Sequence, residues 1–103
     1  MTAVFRVGDH TVRKGDSEAE LTPMECQLLG VLAQRPGRVV SHGMMRRDLW
    51  PLEQDEPLSA PNEIQVVKGR LLKKLAAFGL GIRTRRGVGF VLDGDIETDW
   101  SAA

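Results

Sequence analysis

The sequence has a single cysteine, Cys26, among 103 residues, so no disulfide framework can form within the chain. Such usage suits a reducing compartment, and the cytoplasm is the expected location. No apolar run reaches the roughly 18 residues a membrane-spanning helix needs, so no membrane partner is expected. The first twenty residues carry Arg6, Asp9, Arg13, Lys14, Asp16, Glu18 and Glu20, and read as neither a signal peptide nor a transit peptide. His10 and His42 are isolated and have only Cys26 for company, so no metal site or cofactor is expected. Gly87-Val88-Gly89 lacks the third glycine and the strand-turn-helix context of a dinucleotide loop, and reads as a turn. The scattered serines have no visible His or Asp partners, so the chain is not expected to be an enzyme. There is no internal repeat and no coiled-coil heptad to enforce a dimer.

Net charge is also missing: 14 basic residues balance 14 acidic ones. That total hides an asymmetry. Between Asn62 and Gly87 lie Lys68, Arg70, Lys73, Lys74, Arg83, Arg85 and Arg86 against Glu63 alone. The other acids sit in the first quarter (Asp9, Asp16, Glu18, Glu20, Glu25), in the middle (Asp48, Glu53, Asp55, Glu56) and at the end (Asp93, Asp95, Glu97, Asp99). A neutral molecule with one basic face can still bind an anion, because the local field governs the encounter.

Local signals order the chain. Val4–Val7, His10–Arg13 and Glu18–Leu21 read as three short strands separated by turns, giving a small N-terminal antiparallel sheet. Thr22-Pro23-Met24-Glu25 reads as a capping box with proline at the first helical position. The helix it opens buries Leu28, Leu29, Val31 and Leu32 and stops near Gln34, before Pro36-Gly37. Arg38-Val39-Val40 is a brief extended link. Ser41 caps a second helix through Leu49, with Met45 and Leu49 inward, and Pro51 ends it. Leu52–Pro61 is an acidic, proline-bearing loop. A third helix is predicted from Asn62 to about Ala77, with Ile64, Val67, Leu71 and Leu75 inward and Val66, Gly69, Arg70 and Lys73 outward. Ile82–Arg85 and Phe90–Leu92 form a hairpin around a tip rich in Arg and Gly. The expected organisation is one domain over residues 1–92 and an acidic, frayed tail over 93–103. Met24, Met44, Met45, Trp50 and Phe90 are expected in or at the edge of the core.

A basic helix followed by a basic hairpin suits duplex DNA. A helix about 10–12 Å across fits a major groove about 12 Å wide. Arginine's fork bonds phosphates or guanine edges in pairs. The stretch from Leu21 to Leu92 resembles the OmpR/PhoB-type effector domain of bacterial response regulators. The resemblance is carried by Leu21-Thr22-Pro23-Met24-Glu25 with Leu28-Leu29, by Arg35-Pro36-Gly37-Arg38-Val39-Val40-Ser41 and by Leu49-Trp50. It continues through Ile64-Gln65-Val66, Arg70-Leu71 and Lys73-Lys74-Leu75 to Ile82-Arg83-Thr84 and Arg86-Gly87-Val88-Gly89-Phe90. Asp55-Glu56-Pro57 and Lys73-Lys74-Leu75 are also similar to the effector domain of the alphaproteobacterial cell-cycle regulator CtrA.

The resemblance implies an α+β winged helix-turn-helix, with an N-terminal antiparallel sheet, three helices and a C-terminal β-hairpin wing. It also implies a DNA-binding transcriptional regulator. By position, Val66 and Arg70 would face bases, with Asn62 and Glu63 near the helix start and Lys73 near the backbone. Lys74 and Arg85 join the basic surface, Thr84 would touch a phosphate and Arg86 would enter the minor groove. Glu53, Asp55 and Glu56 lie in the loop that in some members contacts RNA polymerase. The chain starts at the sheet, so no phosphoacceptor receiver is expected within it. The family pattern is altered in the third helix. Val67 replaces the usual His, Leu72 a usual Arg, and Lys68 stands where an apolar, inward-facing residue is normal. Gly69 in mid-helix costs about 1 kcal/mol of propensity relative to Ala. Cys26 stands where a large aromatic is common. The expected oligomeric state is a monomer or a DNA-assisted dimer. The rival reading is a winged-helix protein-interaction module acting on RNA polymerase, a sigma factor or another regulator. Neutral charge, the altered third helix and the apolar Val66-Val67 pair motivate it.

Overall fold

The computed structural model describes residues 2–101 and leaves the side chain of Glu53 outside that description. Three strands open it: β1 (Ala3–Arg6), β2 (Thr11–Lys14) and β3 (Ser17–Glu20), paired as antiparallel neighbours with Phe5 opposite Val12. Each lies within a residue of its expected span. β2 begins after His10, which has φ 55° and therefore serves as the turn residue rather than as a strand residue.

Helix α1 (Pro23–Ala33) starts at the anticipated capping box. The Thr22 N–H donates to Glu25 Oε1 at 2.8 Å, and the Glu25 N–H donates to Thr22 Oγ1 at 3.2 Å. Strand β4 (Val39–Ser41) runs straight into α2 (His42–Leu49), capped by the Ser41 hydroxyl, which accepts the Met44 N–H at 3.1 Å. A single 3-10 turn at Glu53–Asp55 interrupts the following loop. Helix α3 (Ala60–Ala76) begins two residues before the predicted Asn62. Pro61 occupies its first turn, where the missing N–H costs nothing, so the proline assigned to the loop belongs to the helix.

The wing consists of β5 (Gly81–Arg85) and β6 (Gly89–Asp93), antiparallel with Thr84 opposite Phe90. The link at Arg38-Val39-Val40 proves to be more than a connector. β4 pairs with β6 and makes a three-stranded sheet of order β4-β6-β5. Ser41 lies opposite Gly89, and a Cβ on Gly89 would fall 1.9 Å from the Val40 carbonyl oxygen, so only glycine fits there. The His42 N–H donates to the Val88 carbonyl at 3.0 Å, tying the wing tip to the start of α2.

The predicted frayed tail needs correction. Residues Ile96–Asp99 form β7, which pairs parallel with β1 and gives the first sheet the order β3-β2-β1-β7. Ile96 and Thr98 are half-buried while Glu97 and Asp99 face water, a two-residue alternation that a strand on a core can use.

One apolar cluster joins the two sheets through α1. Phe5, Val12, Leu28, Leu29, Leu32, Leu71, Leu75 and Phe90 all belong to it and are almost fully buried. Each such Leu or Phe contributes about 1.5–3 kcal/mol by leaving water. Met45 is buried, and Met24, Met44 and Trp50 pack against the cluster edge, as expected. Val67, placed on the inward stripe, is only half-buried against the same cluster.

Candidate nucleic-acid interface

Helix α3 is anchored by Ile64, Leu71 and Leu75, seven and four residues apart and all buried. That phase fixes the opposite face. Asn62, Val66, Arg70 and Lys73 follow at steps of four, four and three, and all four are exposed. Val66 is 45% exposed, a large apolar side chain left in water in the middle of a polar stripe.

Glu63 and Lys74 sit on the flank of the helix instead. Glu63 is exposed and borders a small apolar pocket with Met24, Trp50 and Val67, between α3 and the first two helices. The Lys74 ammonium donates to Glu25 Oε1 at 2.6 Å and to the Glu20 carbonyl at 2.9 Å. It is turned into the body of the domain. Glu25 is only 2% exposed. Burial pushes its carboxyl up. The Lys74 ammonium, the Thr22 N–H and the Thr22 hydroxyl outweigh burial and hold it below its ordinary value. The thiol of Cys26 is buried and pushed up by that burial, which makes it a poor nucleophile.

On the wing, Thr84, Arg85 and Arg86 are exposed. Gly87 has φ 75°, which turns the chain tightly after Arg86 and leaves the tip unobstructed. At the wing base Arg83 pairs with Asp93. Among the described residues, Arg70, Lys73, Arg85 and Arg86 make no ion pair. The acidic C-terminal segment therefore neutralises Arg83 and leaves the tip charged. Its other acids are the exposed Asp95, just before β7, and Glu97 and Asp99, which β7 holds in the first sheet.

The acidic loop is partly fastened. Glu56 is half-buried and pairs with Arg46 at 3.4 Å, while Asp55 is exposed. Glu53, grouped with them in the sequence, has a side chain outside the described residues. Leu52 is 58% exposed and Leu58 fully so.

Sequence reasoning marked Lys68 as out of place but assigned it no partner and no role. Its ammonium donates to Thr84 Oγ1 at 3.0 Å and lies 5.0 Å from the centre of the Phe90 ring. It bridges α3 to both wing strands. The signal was present as a lysine in the inward phase of an amphipathic helix.

Residues 16–92 match the family described as "Transcriptional regulatory protein, C terminal". The chain belongs to that family. Its three helices, antiparallel strands and C-terminal hairpin are those of the OmpR/PhoB-type winged-helix effector domain. The effector domain is 30% identical over 91 residues to the response regulator protein GraR of Staphylococcus haemolyticus, covering 86% of this chain and 39% of GraR. It is 34% identical over 86 residues to the transcriptional regulatory protein AfsQ1 of Streptomyces coelicolor, covering 81% of this chain and 37% of AfsQ1. It thus spans about two fifths of the length of these curated relatives. Among solved structures, the C-terminal domain of the nisin resistance regulator NsrR is 34% identical with a TM-score of 0.69, covering 82% of this chain and 84% of that one. The DNA-binding domain of response regulator AdeR, solved in complex with an intercistronic region, has a TM-score of 0.70 at 21% identity and covers 91% of this chain and 96% of that one. Strands β1, β2 and β7 lie outside the family match of residues 16–92. Among the described residues no helix is long and apolar enough to cross a membrane.

Proposed function

We propose that this effector domain binds duplex DNA as a transcriptional regulator, with α3 in the major groove and the wing against the backbone and the minor groove. The observation that carries this reading is the exposed stripe Asn62, Val66, Arg70 and Lys73, whose two cations, like Arg85 and Arg86 on the wing, have no acidic partner among the described residues. Arg70 is suited to the O6 and N7 of a guanine, and Val66 to a thymine methyl. Lys73 and Arg85 would neutralise phosphates, and Arg86 would reach into the minor groove. Thr84 would donate its hydroxyl to a phosphate. Glu63, placed on the flank, can accept from a cytosine amine only at the edge of the footprint. Lys74 serves the fold by satisfying Glu25, and its part in DNA binding is indirect.

The domain acts by binding rather than by catalysis, in the cytoplasm, as a monomer or as a dimer assembled on DNA. The test is selection of bound duplexes from a random library, followed by titration of the selected site and its single-base variants. Arg70→Ala is expected to relax base preference by about 1–3 kcal/mol, and Lys73→Ala to weaken all sequences by a similar factor. A folded wild-type protein that retains no duplex at low salt overturns the reading.

A protein partner is favoured by one further observation. Leu52 and Leu58 project into water from the acidic loop, next to Asp55. Exposed leucines beside carboxylates suit a partner with apolar pockets and a basic rim, such as RNA polymerase, a sigma factor or another regulator. If this loop recruits polymerase, polymerase recovered from nuclease-treated lysate is expected to be unchanged after charge reversal at Arg70, Arg85 and Arg86. Recovery that disappears with those reversals would tie the capture to nucleic acid.

A further inference from the structure

We propose that Lys68 adds its ammonium to the phosphate contact already expected of Thr84, making a two-residue phosphodiester seat in the crease between α3 and the wing; this rests on the DNA-binding reading above. Lys68 follows Ile64 by four residues and precedes Leu71 by three, so its side chain leaves the helix at the margin of the buried stripe. A lysine there keeps its charge only if the ammonium escapes burial. The Lys68 ammonium lies over Phe90, a fully buried ring, and at the same time bonds Thr84, which is exposed. Thr84 and Phe90 are cross-strand partners, so a single side chain of α3 touches both strands of the wing.

The chemistry left over at this spot consists of donors. The Thr84 oxygen accepts one of the three ammonium N–H groups, which leaves its own O–H to donate outward. The remaining ammonium protons have no carboxylate within 4.0 Å among the described residues. A hydroxyl proton and an ammonium side by side call for a ligand that only accepts and carries negative charge. A phosphate oxygen is that ligand, and charge-assisted bonds of this type are the strong ones. The crease joins the two elements proposed to straddle a duplex, so the phosphate is assigned to the DNA backbone rather than to a free ion. Holding Lys68 on Thr84 and Phe90 before DNA arrives also lowers the entropy lost when it contacts the phosphate.

The test uses the whole chain and a selected duplex, titrated across a range of salt concentrations. Lys68→Met keeps an unbranched side chain of similar length and removes the charge. It is expected to bind about tenfold more weakly at a fixed moderate salt, and its log affinity is expected to fall with log salt about one unit less steeply than wild type. Thr84→Val is expected to weaken binding in the wild-type background and to cost little more in the Lys68→Met background, because the two groups hold one phosphate. Lys68→Arg is expected to restore the salt slope. Inorganic phosphate at millimolar concentration is expected to leave the wild-type affinity unchanged beyond its contribution to ionic strength. A specific competition between phosphate and duplex would reassign the seat to a free ion. If Lys68→Met melts early, Lys68→Gln and Thr84→Val give the same two readouts. Wild-type binding with an unchanged slope in the Lys68 variants overturns the seat alone and makes the contact a brace between helix and wing. Loss of wild-type binding overturns the DNA reading and the seat with it.

Discussion

Raising salt from about 50 to about 200 mM is expected to weaken duplex binding roughly five-hundredfold. The expectation comes from counting cations without acidic partners on α3 and the wing: Lys68, Arg70, Lys73, Arg85 and Arg86. About five cations brought against the polyanion, on phosphates or in a groove, displace condensed counterions as five neutralised phosphates would and give a slope of log affinity on log salt near −4.5. Lys74 and Arg83 are left out of the count because Glu25 and Asp93 hold them. A titration by fluorescence anisotropy at several salt concentrations reads the slope directly. A slope near −6 would return the two held cations to the interface. A slope close to zero would leave the basic face as solvated surface and shift attention to a protein partner.

Lys74→Met is expected to cost about 2–3 kcal/mol of stability, toward or below the lower end of what an uncompensated buried charge costs, because Lys74 itself is 35% exposed and partly screened. For a domain of this size that is a fall in melting temperature of roughly 10–20 °C. The pH dependence identifies the cause. The folded Glu25 carboxyl titrates below its ordinary value. Its ion pair therefore stabilises the fold fully above the usual carboxylate range, and that stabilisation is lost as pH falls through the depressed value. The gap between wild type and Lys74→Met is expected to be small at strongly acid pH and to open as pH rises toward neutrality. Thermal melts at a series of pH values measure it. A gap of the same size at every pH would mean that the lysine acts through packing alone.

What could be read in advance was local. The Thr22–Glu25 box, the Ser41 cap and the inward stripe of α3 all depend on residues three or four apart, and each appears as anticipated except that Val67 is only half-buried. The sequence also carried the candidate face: Arg70 and Lys73 are outward because Ile64, Leu71 and Leu75 are inward. Pairings between distant residues were hidden. Val39-Val40-Ser41 could be recognised as extended, but nothing nearby reveals that Val91, Phe90 and Gly89 lie opposite. Ile96-Glu97-Thr98-Asp99 has a strand's alternation, yet its acid content suits a solvated tail equally well. Only β1, more than ninety residues away, decides between them. Lys74 looked like one more groove-facing cation because a basic run does not say which member meets a buried carboxylate. Lys68 was conspicuous as an anomaly in the stripe, and its partners Thr84 and Phe90 became visible only when the wing closed on the helix.

The neighbourship of β1 and β7 has a consequence for how the molecule is made. Translation delivers β1 first, and its parallel neighbour last of all the strands. Until then one rim of the opening sheet has bare N–H and C=O groups, which invite a wrong partner. Closing so large a span is entropically the most demanding pairing in the domain, so it belongs late in folding, after the helices and the wing have gathered. The closing strand thus acts as a final latch: the basic helix and the hairpin rest on pairings much closer in sequence and can be in place while the first sheet still waits for an edge.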